Sequence, residues 1–320
     1  MSRQQGVTII VAMRPASRKS ASGKASLRRT RRGPTKQAWW VPYAFMLPAL
    51  SLFAIFFAWP AIKAIQLSFY DYNVVTPPRF AGLANFRKLL VDDRFHTALR
   101  NSVFYLIGMT PFATFLPLLL AVLVNQKIRG ISVFRAIYYL PAITSMVAVG
   151  VAWRELFDRQ GVLNWVLSAG GLIHHPIQYL LSQTWALPSL ILVEGWKNLG
   201  FFMMIYLGGL QSIPSEMYEA ARTDGANAWQ RLRYLTVPLM MPFTAVTLTL
   251  GMLDAMRVFE SVYIMTRGGP QDSTLSLGYL AWSTAFERYQ LGYASAIGLV
   301  MLVLMIGLAL LNHQITRERS

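Results

Sequence analysis

Five ionisable residues fall inside long apolar runs of this sequence: Glu194 and Lys197, three apart, and Asp254, Arg257 and Glu260, spaced at threes. In a helix such spacing sets opposite charges on one face, where they can pair. A charge inside a bilayer costs several kcal/mol unless it faces protein or water, so these positions point toward a bundle interior or a cavity. A polar pathway across a membrane is the functional reading. Internal structural pairing is the alternative, or a place near the outer interface, which suits Glu260 best. Recognition of a polar solute needs several hydrogen-bonding partners and an aromatic platform. The same runs supply Glu194, Trp196, Asn198, Tyr206 and Asp254 as the candidate substrate pathway.

Covalent and metal chemistry find less support. There is no cysteine, hence no disulfide, thiolate ligand or cysteine nucleophile. His174 and His175 are neighbours in a loop, His96 and His313 are isolated, and none has the spacing of a metal-binding pair. No G-x-x-x-x-G-K-[ST] segment occurs, so the chain has no cradle for the phosphates of ATP. The expectation is a non-enzyme with no cofactor and no metal, whose energy comes from another polypeptide.

The elements that must position these residues are membrane helices. Hydrophobic residues make up 54% of the 320, only 14% are charged, and mean hydropathy is +0.40. Soluble domains carry about 25% charged residues. Apolar runs at 41–62, 102–124, 136–153, 186–210, 241–265 and 294–311 each approach the ~17–25 residues that a bilayer requires. The fold class expected is therefore all-α, a polytopic membrane protein with six transmembrane helices. Placing both termini in the cytoplasm puts eighteen of thirty Lys and Arg, but only four of fourteen acids, on the inner side. That side then carries a net +14 and the remainder +2, as the positive-inside rule demands. The overall +16 is thus mostly topology, and no nucleic-acid partner is expected. Residues 1–38 hold ten of these basic residues and no acid, and read as a disordered tail suited to anionic lipid. Met13 is an alternative start.

Between the fourth and fifth runs lies a polar, helix-prone insert, residues 212–238. Pro214 and Ser215 can start a helix, Gly225 can end it in a left-handed turn, and Asn227 with Gln230 can form a capping box opening a second helix before Pro238. The result is an elbow of two short helices on the inner surface.

Glu219-Ala220-Ala221, three residues, Gly225, nine residues and then Leu235-x-Val237-Pro238 resembles the EAA loop of permease subunits in binding-protein-dependent ABC importers. Most of residues 40–312 is similar to the sugar-permease branch of that family, which includes maltose-type, multiple-sugar, lactose-type and glycerol-3-phosphate permeases. The shared segments include Gly82-Leu83-x-Asn85-Phe86, Asn101-Ser102, Gly161-x-x-Asn164, Trp196-Lys197-Asn198-x-Gly200-Phe201 and Thr266-Arg267-Gly268-Gly269-Pro270. Leu235 and Val237 stand where the loop pattern usually has Ile and Leu, and both keep apolar bulk. The resemblance implies that Glu219, Ala220, Ala221, Asp224, Gly225 and Pro238 couple the chain to an ATPase. It also implies a homologous second permease subunit, an ABC ATPase dimer, an extracytoplasmic solute-binding protein and a surrounding lipid bilayer of the inner membrane. The domain plan is a tail over 1–38, a permease domain over 39–316 and a short cytoplasmic tail over 317–320. An ion-coupled secondary transporter, with Glu194 or Asp254 as the coupling group, is the rival; an intramembrane enzyme lacks a compact catalytic set.

Overall fold

The computed structural model describes residues 40–126 and 129–317. The basic tail over 1–38 lies outside the described residues, as do the last three positions of the 317–320 tail. Internal packing divides the chain into a unit ending at Phe53 and a second unit starting at Ala54. The described part of the first is Trp40 and the helix Val41–Phe53, with Pro48 inside it. Its side chains are mostly exposed apolar groups such as Phe45 and Leu47.

The second unit begins with a π-helical turn, Ala54–Ala58, followed by helix Trp59–Leu67. Among the described residues, four helical stretches are long and apolar enough to cross a membrane: Tyr43–Leu67, Asp93–Val124, Ala186–Ser212 and Leu291–Thr316. Two bent helix pairs raise the number to six if each counts as one span. Among the described residues the fold is all-helical, apart from a two-residue antiparallel pair, Tyr70–Asp71 with Arg79–Phe80.

The bent pairs are Ile131–Ile143 with Met146–Leu156 and Ala228–Leu239 with Met241–Met256, the second bent by 67°, and two of the apolar runs are broken in the structure. The run 136–153 reads as one straight span, but helix Ile131–Ile143 stops at Thr144, whose backbone is extended. Ser145 then caps helix Met146–Leu156 by accepting the Val147 amide at 3.3 Å, and the two axes meet at 99°. The run 241–265 is also not one helix. Helix Met241–Met256 ends at Arg257, and a separate π-helical turn covers Val262–Thr266. Averaged hydropathy does not register either break, because the few polar residues at each one are flanked by long apolar stretches on both sides.

Small residues allow the helices to close on one another. A Cβ at Gly200 would stand 1.9 Å from the Tyr138 carbonyl oxygen, so helix Ala186–Ser212 crosses helix Ile131–Ile143 backbone to backbone. Gly251 approaches the Ala113 methyl on helix Asp93–Ala113 in the same way. Two apolar clusters result. One gathers residues such as Tyr105, Leu190, Val193, Val262, Leu280 and Ile297, while the other holds Ala121, Met203, Leu207, Leu210 and Met240. Helix Ala186–Ser212 contributes to both, and Glu194 to Asn198 fall between its two contributions.

Three buried asparagines pin the segments between helices. The Asn85 amide donates to the Ser68 and Tyr70 carbonyls, each at 2.9 Å. Asn164 donates to Ile177 O at 3.0 Å and accepts from Ile177 N at 2.9 Å. Asn101 donates to the carbonyls of Asp272 and Leu275 at 2.9 and 3.0 Å, while Ser102 Oγ accepts the Leu277 amide at 3.1 Å. These hold the loop after Thr266, in which Arg267, Gln271 and Asp272 all adopt positive φ. Such conformations cost of order 1–2 kcal/mol per non-glycine residue and persist only where the surroundings over-determine them. The fork of Arg94 adds two contacts to Asp272, both at 2.8 Å. That pair is one-third exposed, so it contributes about 1 kcal/mol or less. Asn101→Leu strands the buried Leu275 carbonyl, at roughly 1–3 kcal/mol, and takes one of two donors from the Asp272 carbonyl, which keeps the Leu275 amide at 3.1 Å. Thermal unfolding of the two purified variants should therefore show a clearly larger loss for Asn101→Leu than for Arg94→Gln; equal losses would place the restraint in the ion pair instead.

Candidate functional site

The insert folds as the elbow its residues suggest. Helix Ser215–Thr223 follows Pro214, whose φ of −57° and ψ of 136° leave it outside the helix. Gly225 takes φ +80°. The Ala226 amide donates to Ala221 O at 2.9 Å and the Gly225 amide to Arg222 O at 3.0 Å, the paired bonds of a Schellman turn. Two residues on, Asn227 Oδ1 accepts the Gln230 amide at 2.9 Å while Gln230 Oε1 accepts the Asn227 amide at 2.8 Å, a complete capping box. Helix Ala228–Arg231 runs into a π-helical turn, Leu232–Thr236, and then helix Val237–Leu239 with Pro238 in its first turn.

Two side-chain contacts brace the two arms. The Tyr218 hydroxyl lies 3.1 Å from Thr236 Oγ1, and Arg231 donates to Ala226 O at 2.6 Å. Glu219, Ala220, Asp224 and Gly225 are all exposed and Ala221 is half-buried, so this side of the elbow is open to a partner. A shallow cavity of about 400 Å³ runs past Ala221, Asp224 and Gly225 to Tyr234.

A second cavity, about 480 Å³, collects the charges of the fourth and fifth apolar runs: Glu194, Lys197, Asn198, Asp254, Arg257 and Glu260 all line it. Arg257 pairs with Asp254 at 2.6 Å, as the i,i+3 spacing suggested. Glu194 and Lys197 do not pair: Lys197 Nζ is directed to Ala142 O at 3.5 Å and Asn198 to Glu194 Oε2 at 3.5 Å. Both contacts are long, which leaves these groups with capacity for a ligand. Glu260 stands on the wall of this cavity with the other five.

Three of the five pathway candidates, Glu194, Asn198 and Asp254, thus come together. Trp196 does not line the cavity; its ring stacks edge-on against Trp153 at 5.4 Å. Tyr206 lies farther along the helix in the second apolar cluster, fully buried, accepting a hydrogen bond from Thr247 at 3.0 Å. Beside the apolar Met146, Val258 and Phe259, the cavity's polar lining is completed by Lys197, Arg257 and Glu260. Their charge within an apolar run was the signal that pointed to them. Among the described residues no cluster of His, Asp and Glu could hold a metal ion.

Comparison with known proteins returns consistent matches. Residues 94–318 match the family described as binding-protein-dependent transport system inner membrane component. The lactose transport system permease protein LacF of Rhizobium radiobacter is 33% identical over 285 residues, covering 87% of this chain and 94% of that protein. The trehalose/maltose transport system permease protein MalF of Thermococcus litoralis is 30% identical over 282 residues, covering 87% and 94%. Among solved structures, a chain of a bacterial ABC transporter involved in the import of the acidic polysaccharide alginate superposes with a TM-score of 0.76 at 26% identity, covering 87% of this chain and 96% of that one. A bacterial alginate ABC transporter in complex with alginate pentasaccharide-bound periplasmic protein gives 0.74 at the same identity.

Proposed function

The chain belongs to the family of binding-protein-dependent transport system inner membrane components, and from that premise we propose that it moves a sugar or related polyol through the charged cavity, driven through its elbow. It is a multi-pass, non-catalytic permease subunit of an ABC importer. The finer reading assigns it a homologous second permease, an ATPase dimer that grips residues 214–238, and a solute-binding protein on the opposite side. Both termini then lie in the cytoplasm. Relatives named for lactose and for trehalose or maltose support a carbohydrate cargo.

One observation carries the mechanism. The helices that carry Glu194, Lys197, Asn198 and Asp254 leave directly from the elbow: Ala186–Ser212 enters it at its C-terminal end, and Met241–Met256 departs from it at Met240. Sixteen residues of helix, roughly 24 Å, separate the elbow from the charged end of the second. A rigid rod of that kind turns a displacement of the exposed Glu219 to Gly225 face into a displacement of Asp254 and Arg257. ATP binding shifts the equilibrium only if the closed ATPase dimer favours one arrangement of these rods over the other. Ala220 and Ala221 let the ATPase approach the first arm closely, and Gly225 fixes the turn behind it.

The test is reconstitution. Co-purified complexes of this chain, a second permease and an ATPase dimer should take up a radiolabelled disaccharide into ATP-loaded proteoliposomes only when a loaded binding protein is added. Uptake by this chain alone under an ion gradient would sink the importer reading in favour of a secondary carrier.

A further inference from the structure

We infer that a third cavity, formed by the segments 154–159, 178–181 and 265–270, is an outer receiving subsite for a saccharide, in series with the charged cavity. This inference rests on the carbohydrate reading above. The cavity measures about 550 Å³, larger than the charged one and within the ~300–1,000 Å³ of small-molecule clefts. The charge count of the topology sets its loops on the side that meets the binding protein.

Its lining has the chemistry of polyol recognition. Arg154, Glu155, Asp158 and Arg159 place two guanidinium donors and two carboxylate acceptors around one concavity, with Gln178 offering both kinds of group. The side chains of Arg154, Glu155, Arg159 and Gln178 make no hydrogen bond or ion pair among the described residues. The charges cancel, which suits a neutral ring that both donates and accepts. Tyr179 also lines the cavity; it is 6% exposed, and its hydroxyl is buried with no partner.

The two cavities are joined by shared elements. Helix Met146–Leu156 carries Met146 on the charged cavity and Arg154 on the outer one, a rise of roughly 12 Å. The segment Phe259 to Thr266 likewise gives Phe259 and Glu260 to one and Met265 and Thr266 to the other. A row of aromatic rings follows the same line: Tyr179 to Phe157 at 5.0 Å, Phe157 to Trp153 at 5.1 Å, and Trp153 to Trp196 at 5.4 Å. Trp196 is the immediate neighbour of Lys197 on the charged cavity. A movement of the helix 146–156 that opens one cavity therefore acts on the other.

Photolabelling decides the matter. Complexes of the full chain in proteoliposomes are exposed to diazirine-bearing lactose and, in parallel, diazirine-bearing maltose, and labelled peptides are mapped by mass spectrometry. The expected result is labelling of 154–159 and 178–181, competed by the unlabelled sugar. It should fall several-fold in Arg159→Gln, with basal ATPase activity unchanged. Labelling confined to 194–198 and 254–260 would overturn the outer subsite and leave the carbohydrate reading standing. No specific labelling anywhere, with basal ATPase activity intact, would remove both. Cross-linking of Arg159→Cys to the binding protein with sugar excluded would assign the cavity to protein docking instead.

Discussion

Gly225→Val should abolish uptake while ATP hydrolysis continues. The position has φ +80°, and a Cβ placed there would meet nothing within 4 Å, so the substitution creates no clash. Its cost is conformational: an L-residue pays about 1–2 kcal/mol in the left-handed region, and a β-branched one is a stronger outlier there. The cheaper outcome is for residue 225 to leave that region, which breaks the bonds from Gly225 and Ala226 to Arg222 and Ala221 and swings the first arm away from the second. A joint that yields by ~1.4 kcal/mol loses tenfold in the population that transmits force. Gly225→Asn is the control, because Asn tolerates the left-handed region far better and should keep most of the transport. The measurement is substrate moved per ATP hydrolysed in assembled complexes. A Val variant that transports normally would remove the elbow from the mechanism.

The second large effect belongs to Gly200. A methyl group there would meet Tyr138 O at 1.9 Å, Tyr138 C at 2.6 Å and Tyr139 Cα at 2.9 Å. All three are main-chain atoms, which cannot rotate aside as a side chain can. Gly200→Leu must therefore separate the two helices, and with them the carbonyl of Ala142 that faces Lys197. Overpacking of this kind costs about 1–3 kcal/mol even where some relief exists, so loss of folded protein in detergent extracts is expected. Gly208, on the same helix, has nothing within 4 Å, so Gly208→Ala should be neutral or stabilising by up to ~1 kcal/mol. Melting temperatures of Gly200→Ala and Gly208→Ala give the cleanest comparison. Equal values would mean that the helices do not cross at Gly200.

The elbow is the most legible part of the chain, because its determinants are local. A proline before a helix, a glycine after it and an Asn-x-x-Gln box act over four residues and need no tertiary partner. The spans are legible as apolar runs but not as shapes. Thr144 and Ser145 turn the chain sharply inside a run whose hydropathy hardly changes, and the helix 241–256 stops at Arg257 although the run goes on to 265. Charge within those runs marks Glu194 and Asp254 as neighbours of a cavity, since a charge there must face something polar, while the uncharged Asn198 joins them one turn from Glu194. It cannot show that the i,i+3 rule is obeyed by Asp254 and Arg257 and ignored by Glu194 and Lys197, which depends on what the adjacent helix presents. Tyr206 misleads for a related reason: a tyrosine in an apolar run serves equally as a ligand group or as a buried core ring satisfied by Thr247. The outer cavity has no signature at all, because its lining is assembled from three separate segments.

The Schellman turn and the capping box stand back to back, with Ala226 belonging to the first and Asn227 to the second. Between them they satisfy main-chain groups that would otherwise be left for a partner to cover. Ordering a loose segment of this kind on contact would cost about 1–2 kcal/mol per residue. An elbow that is ordered before contact spares the association step that penalty, so assembly with the motor can proceed as the meeting of two finished surfaces. The same preorganisation permits repeated release and recapture during a transport cycle without refolding of the joint.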